Sequence, residues 1–200
     1  MVIKLIISAV IGYLLGSFNG AQIIAGLNNV EIKKEGSGNA GMTNVLRVMG
    51  KKAAVITLLA DSLKAVIACL VGKTIGGENA LYLAGVFCVL GHNWPAFFSF
   101  KGGKGVLTTF IVLIMIDWKV ALMMFGLFLF IVAITRYISL GSIISASLFP
   151  IVAICLNRPI EEILASAFLG LLIVLRHSSN IVRLIHGEEN KFGGKKKDEE

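Results

Sequence analysis

Seven apolar segments recur along the chain, and they constrain its fold more than any single motif does. The segments lie at about 3–24, 50–72, 80–92, 104–117, 119–136, 142–157 and 160–176. A helix that crosses the hydrocarbon core of a bilayer needs about 20 mostly apolar residues. In this chain 56% of residues are hydrophobic and only 16% are charged, whereas soluble domains are about a quarter charged. We therefore predict an all-α integral membrane protein, a bundle of seven transmembrane helices.

The third and fourth segments are shorter than the others. The sequence Gly91-His92-Asn93-Trp94-Pro95 interrupts the chain between them. Non-helical backbone at membrane depth is tolerated only where protein or water covers it. We therefore expect an interfacial segment, at about 95–104, to join these two short spans.

Positive charge is divided unevenly between the two sides of this predicted bundle. With seven spans, most of the 19 Lys and Arg residues fall on the side that holds the C-terminus. The other side receives Lys4, Lys73, Lys119 and Arg158. Because cytoplasmic loops carry the excess of Lys and Arg, the N-terminus is predicted outside and the C-terminus in the cytoplasm. Residues 1–190 are predicted to form a single membrane domain, followed by a polar, charged tail at 191–200.

The polar, glycine-rich stretches all fall on the predicted cytoplasmic side. They occupy 16–20, 36–47, 91–105, 136–142 and 176–189. Binding and catalytic residues are often placed on loops that a rigid scaffold positions. We therefore expect a functional site at the cytoplasmic ends of the helices.

The stretch GSGNAGMTNVLR, at 36–47, has the glycine spacing of a nucleotide-binding P-loop. However, Met42 stands where such a loop needs a lysine, and the stretch connects membrane helices instead of following a β-strand. An ATP site is therefore not expected. The stretch is instead a candidate for binding another phosphate, through Asn39, Thr43, Asn44 and Arg47.

A second candidate anion site is Lys101-Gly102-Gly103-Lys104-Gly105, which stands directly before an apolar helix. Glycines allow backbone N–H groups to approach an anion, and a helix N-terminus adds partial positive charge. The alternative is that the glycines pack helices closely and the lysines extend to the membrane interface. We favour anion binding because two lysines, three glycines and a helix start coincide.

Asp61 and Lys64 lie three residues apart within the second predicted span. Ionisable groups inside a membrane are costly, and they usually face a partner or a watery cavity. At this spacing the two side chains can pair with each other. A paired role that supports the loops above and a direct contact with substrate are equal alternatives.

A further polar cluster is expected near the C-terminus. Arg176, His177, Asn180 and Arg183 repeat at helical spacing and can share a helix face. The alternative is a surface helix that lies among lipid headgroups. No zinc site is expected, because the three histidines have no ligand spacing such as H-x-x-x-H.

Five motifs, in order along the chain, resemble the bacterial acyl-phosphate:glycerol-3-phosphate acyltransferases, the PlsY family. The motifs are GSFNGAQIIA, GSGNAGMTNVLRVMG with ADSLKA, GHNWPAFFSFKGGKGVLTT, RYISLGS and RHSSNIVRLIHGEENKF. Together they run from Ser17 to Phe192. One departure is Ala65, where family members often carry glycine, and it concerns helix packing more than chemistry.

The resemblance implies a multi-pass enzyme of the bacterial inner (plasma) membrane whose active site faces the cytoplasm. It implies transfer of a long-chain fatty acyl group from acyl-phosphate to the 1-hydroxyl of glycerol 3-phosphate, which gives lysophosphatidic acid and phosphate for phospholipid biosynthesis. Membrane lipid is the expected surrounding, and a monomer without cofactor, metal or nucleic acid is expected. The alternative is a membrane transporter of a phosphorylated metabolite, which also needs a basic, glycine-lined site among broken helices.

The resemblance also implies roles for individual residues. The implied catalytic residues are Lys104, Ser142, His177 and Asn180. The implied substrate-binding residues are Ser37, Asn39, Gly41, Thr43, Asn44, Arg47, His92, Lys101, Gly102 and Gly103. The implied supporting residues are Ser17, Asn19, Asp61, Lys64, Arg136, Arg183 and Glu188. His177, then His92, is a candidate general base, but we favour a substrate-assisted route in which a phosphate oxygen of the donor takes the proton.

Overall fold

The structure is a computed structural model, and it describes residues 1–193. Within this range the chain forms helices and no β-strand, so the predicted all-α class is confirmed. The helices of this range are α1 (Val2–Ser17), α2 (Gly20–Leu27), α3 (Met42–Gly76), α4 (Glu78–Asn93), a 3-10 turn (Ala96–Phe98), α5 (Val106–Ile116), α6 (Trp118–Thr135), α7 (Ile138–Cys155), α8 (Ile160–Arg176) and α9 (Ser178–Ile185). Most of the predicted tail, 194–200, lies outside the described residues.

Five segments of residues 1–193 are long and apolar enough to cross a membrane. They are Val2–Leu27, Met42–Gly76, Glu78–Phe98, Trp118–Thr135 and Ile138–Cys155. Helix α5 is apolar but has 11 residues, and α8 has 17 residues with three charged side chains. The bounds of α8 are those of the seventh predicted span. The count of seven spans stays a prediction.

The described helices form two compact units, which divide between Asp117 and Trp118. In the first unit, glycines bring α1 and α4 into backbone contact. A Cβ atom added at Gly12 would lie 2.2 Å from the carbonyl oxygen of Ala84, and one at Gly16 would lie 2.0 Å from that of Cys88. Both pairs are spaced four residues apart, which is the small-xxx-small pattern of closely packed membrane helices.

The first predicted span is broken near its C-terminal end. Helix α1 ends at Ser17 and α2 begins at Gly20, because Phe18 and Asn19 have extended backbone conformations. The Asn19 side chain caps α2, since its Oδ1 accepts a hydrogen bond of 3.0 Å from the backbone N–H of Gln22. The predicted span, 3–24, continued through this break, although 16–20 was identified as polar and glycine-rich.

Helix α3 contains 35 residues and is bent at Gly50, whose φ of 82° is outside the helical range. Thirty-five helical residues would span about 52 Å, which exceeds the roughly 30 Å hydrocarbon core. The bend separates an initial helical stretch, 42–49, from the apolar remainder. The predicted second span, 50–72, begins at this bend.

The second unit contains α6 to α9. Helix α7 packs against α6 and α8, and the short α9 contacts α7 and α8. Helix α8 ends at Arg176 and α9 begins at Ser178, with His177 between them. The polar residues predicted to share one helix face at 176–183 are therefore distributed over two helices that meet at His177.

Candidate functional site

The segment 36–47 is organised around the buried side chain of Asn44. Its Oδ1 accepts a hydrogen bond of 2.8 Å from the Ser37 N–H, and its Nδ2 donates to the carbonyls of Ile32 at 3.1 Å and Glu35 at 2.9 Å. Both amide hydrogens are thus used within the loop. These hydrogen bonds fix the path of the loop, and the substrate contact that the resemblance implies for Asn44 stays a prediction.

An apolar cluster packs against the buried face of this segment. Its buried members are Ala21, Ala25, Ile32, Ala40, Val45 and Ala54, and they come from α2, the loop and α3. The buried face of the loop is therefore anchored by the hydrophobic effect, which leaves its polar face for binding.

The polar residues of the segment that remain on its outer face surround the start of α3. Ser37 and Arg47 are exposed, and Asn39 and Thr43 are half-buried. Helix α3 begins at Met42, after Gly41 in an extended conformation. The first N–H groups of a helix have no intrahelical partners and favour anions, so this end of α3 has the chemistry of a phosphate site.

The glycines of 101–105 serve close packing. The N–H of Gly102 donates to the Asn93 carbonyl at 3.1 Å, and the N–H of Gly103 donates to the His92 carbonyl at 3.2 Å. A Cβ at Gly102 would lie 2.0 Å from the His92 carbonyl oxygen. The expectation that these two N–H groups face an anion is therefore wrong, because they bind the end of α4. Lys101 is exposed and Lys104 is half-buried, so the two lysines remain the candidate anion-binding groups of this segment.

The backbone of Ala40 joins the 36–47 segment to two others. Its carbonyl oxygen accepts a hydrogen bond of 3.4 Å from Asn19 Nδ2, and a Cβ at Gly103 would lie 2.6 Å from the same oxygen. In addition, Gln22 Nε2 donates to the Lys101 carbonyl at 3.1 Å. Three of the five predicted polar stretches, 16–20, 36–47 and 91–105, therefore meet in the first unit.

A buried ion pair, Asp61 and Lys64 of α3, lies next to these segments and contacts His92. Lys64 Nζ is 2.7 Å from Asp61 Oδ1 and 3.0 Å from His92 Nδ1. Asp61 is 2% and Lys64 7% exposed. Of the two alternatives, pairing within α3 is the one observed. His92, which the resemblance placed among substrate-binding residues, is 4% exposed and contacts this pair.

In the second unit, the carboxylate of Glu189 binds three polar side chains. Its carboxylate accepts hydrogen bonds from Ser139 Oγ at 2.9 Å, Asn180 Nδ2 at 2.6 Å and Arg183 Nε at 2.8 Å. Burial favours the protonated carboxyl, but these hydrogen bonds outweigh it, so the pKa of Glu189 lies below its ordinary value.

The resemblance placed the neighbouring Glu188 among the supporting residues, and in the structure Glu188 is exposed while Glu189 makes these contacts. The sequence feature that could have distinguished Glu189 from Glu188 is Gly187, which allows the chain to turn back after α9. Its φ is 72°, which is typical of the glycine that ends a helix. The chain reverses there after α9, and Glu189 returns to Asn180 and Arg183.

His177 and Ser142 each bind a carbonyl of their own unit. His177 Nδ1 lies 2.7 Å from the Ile173 carbonyl oxygen and therefore carries the proton of that hydrogen bond. In the neutral ring, Nε2 is then the acceptor. The Ser142 hydroxyl donates to the Ile138 carbonyl at 2.8 Å, so toward a ligand its oxygen acts as an acceptor. Arg136 is exposed, and its carbonyl accepts a hydrogen bond of 2.7 Å from the Phe192 N–H.

Proteins of one family match this chain over nearly its whole length. Residues 6–187 match the family model described as glycerol-3-phosphate acyltransferase. A glycerol-3-phosphate acyltransferase of Clostridioides difficile (strain 630) is 42% identical over 198 residues, which cover 96% of this chain and 97% of the relative.

A solved structure gives the same result. The crystal structure of PlsY (YgiH), an integral membrane glycerol 3-phosphate acyltransferase, in its glycerol 3-phosphate form matches with a TM-score of 0.89 at 38% identity, over 94% of this chain and 96% of that chain. The lysophosphatidic acid form of PlsY matches with a TM-score of 0.86 at 38% identity, over 94% and 95%. The resemblance carried by the five motifs is thus confirmed, and this chain belongs to the glycerol-3-phosphate acyltransferase family.

Proposed function

We propose that this membrane protein transfers a long-chain fatty acyl group from acyl-phosphate to the 1-hydroxyl of glycerol 3-phosphate. The acceptor is supported by the family, and the donor by the motif resemblance. The observation that carries the proposal is the contact of the 36–47 and 101–105 segments around Ala40. Both substrates carry a phosphate, and this contact brings together a helix N-terminus, an arginine and two lysines.

The reaction needs no chemistry beyond that of its two substrates. The 1-hydroxyl oxygen attacks the acyl carbon, and a new carbon–oxygen bond forms. The bond between the acyl carbon and the phosphate oxygen then breaks, so that lysophosphatidic acid and inorganic phosphate leave. We propose that the hydroxyl proton passes to the departing phosphate. Positioning and electrostatic stabilisation of the oxyanion would then carry most of the rate enhancement.

In the first unit, the start of α3 would bind the phosphate of glycerol 3-phosphate. Arg47 supplies full positive charge there, and Ser37, Asn39 and Thr43 supply hydrogen bonds. Lys101 and Lys104 would bind the acyl-phosphate, with the Lys104 ammonium stabilising the developing oxyanion. The anion-binding groups are therefore side chains and a helix end, since the N–H groups of Gly102 and Gly103 are already bonded.

Arg47→Ala tests the assignment of the acceptor phosphate. We expect the KM for glycerol 3-phosphate to rise about tenfold or more, because a charge-assisted hydrogen bond to phosphate is lost. The matched control is Lys51→Ala, which removes an exposed cation from the same helix just beyond the bend. Initial rates over a range of glycerol 3-phosphate concentrations measure both. An unchanged KM in Arg47→Ala would contradict the assignment.

His177 is proposed to orient the acceptor hydroxyl through Nε2, while the donor phosphate takes the proton. The His177→Ala variant is therefore expected to lose only a few-fold in kcat. A positioned general base typically contributes about 10²–10⁴-fold. A loss of about 10³-fold in a folded sample, measured by phosphate release, would instead identify His177 as the base.

We further propose that residues 1–190 act as one membrane domain and a monomer, with seven spans, the N-terminus outside and the site facing the cytoplasm. Cysteines introduced one at a time at exposed Lys101 and exposed Trp118, in a chain whose exposed Cys155 is replaced by serine, test this arrangement. We expect an impermeant reagent added to intact bacterial cells to label only the second. The opposite pattern would reverse the orientation. Light scattering of the detergent-solubilised protein tests the monomer.

One assay tests the activity itself. Purified protein is incubated with palmitoyl phosphate and glycerol 3-phosphate, and both phosphate release and lysophosphatidic acid are followed. We expect equal amounts of the two products. Uptake of glycerol 3-phosphate into vesicles without turnover would identify a transporter instead. Lysophosphatidic acid formed from palmitoyl-CoA, with release of CoA thiol, would show that the proposed donor is wrong.

A further inference from the structure

The break between α1 and α2 leaves backbone polar groups without helical partners inside a candidate membrane span, Val2–Leu27, and the α3 ion pair binds them. Lys64 Nζ donates to the carbonyls of Gly16 at 3.1 Å and Phe18 at 2.8 Å. Asp61 Oδ1 accepts a hydrogen bond of 3.2 Å from the Gly20 N–H. In a lipid environment, backbone groups that leave a helix must find partners within the protein. The pair therefore replaces the hydrogen bonds that the break removes.

The order of the two charges fits the helix ends that they meet. The C-terminal end of a helix carries partial negative charge and the N-terminal end partial positive charge. The ammonium of Lys64 faces the end of α1, and the carboxylate of Asp61 faces the start of α2. A pair of reversed polarity would place each charge at the wrong helix end.

Lys64 also fixes the end of α4. An ammonium can only donate hydrogen bonds, so His92 Nδ1, at 3.0 Å from Nζ, accepts, and the ring proton lies on Nε2. A Cβ at Gly103 would lie 2.5 Å from that Nε2, so the ring packs directly against the 101–105 segment. The His92 carbonyl accepts the Gly103 N–H as well.

We propose that Asp61 and Lys64 are positioning residues that cap the α1–α2 break and thereby hold the 36–47 and 101–105 segments in fixed positions relative to each other. One connection runs from the capped break through Asn19 to the Ala40 carbonyl. The other runs from Lys64 through His92 to Gly103. The pair contacts no reacting atom in this scheme and acts through these two loops. The kinetic part of the test rests on the proposed function.

Lys64→Met is the primary variant, because it keeps an unbranched side chain only one heavy atom shorter and removes the ammonium. We expect the KM for glycerol 3-phosphate to rise about tenfold, since small misplacements of binding groups can cost up to about 10²-fold. Amide hydrogen exchange should accelerate in residues 17–22, 37–41 and 102–105. The matched control is Lys73→Met on the same helix, whose ion pair with Glu78 is about half exposed. It should change neither quantity.

The charge-reversed double variant Asp61→Lys, Lys64→Asp separates an oriented cap from simple charge balance. It keeps one positive and one negative charge in α3, but each meets the wrong helix end. We therefore expect the KM to stay raised and the exchange to stay fast. A KM restored to within about twofold of the unmodified protein would overturn the proposal, because charge balance alone would then suffice.

Two further results would overturn the proposal. One is a lower unfolding temperature of Lys64→Met with an unchanged KM, which would reduce the pair to a purely stabilising role. The other is exchange that accelerates only around residues 61–68. If Lys64→Met does not fold, Asp61→Asn takes its place, since its Oδ1 can still accept from Gly20. If the unmodified protein shows no turnover, the proposed function fails, and the exchange pattern alone decides this inference.

Discussion

Each unit contains a carboxylate that joins segments distant in the sequence, but the two carboxylates are held differently. Asp61 lies within the apolar helix α3, is 2% exposed and faces an ammonium at 2.7 Å. Glu189 follows α9 and binds a serine, an asparagine and an arginine whose side chain is 33% exposed. One cluster is a buried ion pair that also caps backbone, and the other is a network of side-chain hydrogen bonds.

The difference reflects what surrounds each carboxylate. Inside an apolar segment no water competes for hydrogen bonds, so each charge needs a full counter-charge and each backbone group a partner. The Glu189 side chain is also buried, at 6% exposed, but its counter-charge Arg183 is 33% exposed, so solvent screens this pair more than it screens Asp61 and Lys64. Loss of the Asp61 carboxylate should therefore lower the free energy of unfolding much more than loss of the Glu189 carboxylate does.

Asp61→Ala is expected to have the largest effect. It leaves the Lys64 ammonium buried beside carbonyls without its counter-charge, and breaking a buried pair costs about 3–5 kcal/mol. Denaturant unfolding in mixed micelles measures the free energy of unfolding. The Asp61→Ala, Lys64→Ala double variant should be less destabilised than the sum of its two single variants. Strict additivity would show that the two charges are not coupled.

Glu189→Gln is expected to have an intermediate effect. It removes the charge that Arg183 meets, and hydrogen bonds to charged groups contribute about 1.5–3 kcal/mol, less here because Arg183 is partly exposed. The folded-state pKa of Glu189 lies below its ordinary value. Its stabilisation is therefore present above the unfolded pKa of about 4.3 and is lost as pH falls through the folded pKa.

The pH series provides the control for this assignment. The difference in free energy of unfolding between the unmodified protein and Glu189→Gln should be largest at neutral pH and should shrink below about pH 4.3. Glu188→Gln, which changes an exposed neighbour, should show no difference at either pH. A larger effect of Glu188→Gln would restore the sequence-based choice of Glu188 as the supporting acid.

Ser139→Ala is expected to have the smallest effect. It removes one of three hydrogen bonds to Glu189, and the carboxylate keeps Asn180 and Arg183. The expected loss is about 1 kcal/mol, measured by the same unfolding experiment. A loss as large as that of Glu189→Gln would mean that removing the Ser139 hydrogen bond also disrupts those from Asn180 and Arg183.

The helices were predictable because long apolar runs have few other structures available to them. Helix α8 begins and ends at the predicted residues, and the predicted second span begins at the Gly50 bend. The break at Phe18 and Asn19 was not predicted, because the polar stretch 16–20 is short and apolar residues flank it on both sides. The partners of its backbone groups include Asp61 and Lys64, which are distant in the sequence, and no local pattern identifies them.

The loops were predictable as polar regions, but the roles of individual groups within them were not. The glycines of 101–105 indicated a backbone open to an anion, whereas the N–H groups of Gly102 and Gly103 bind the end of α4. Asn44 was predicted only as a ligand contact, and its support of its own loop was not foreseen. In both cases the deciding partner is a backbone carbonyl, which every residue has and no sequence motif identifies.

The cap on the α1–α2 break also bears on how the chain enters a membrane. Insertion of a helix that carries Asp and Lys near its centre is unfavourable by about 2.5–3.5 kcal/mol per charged residue. The carbonyls of Gly16 and Phe18 and the N–H of Gly20 belong to the helices synthesised before α3. The groups that bind the two charges are therefore synthesised before α3, whereas His92 is synthesised after it. We expect the backbone groups at the α1–α2 break to bind Asp61 and Lys64 as α3 inserts into the membrane.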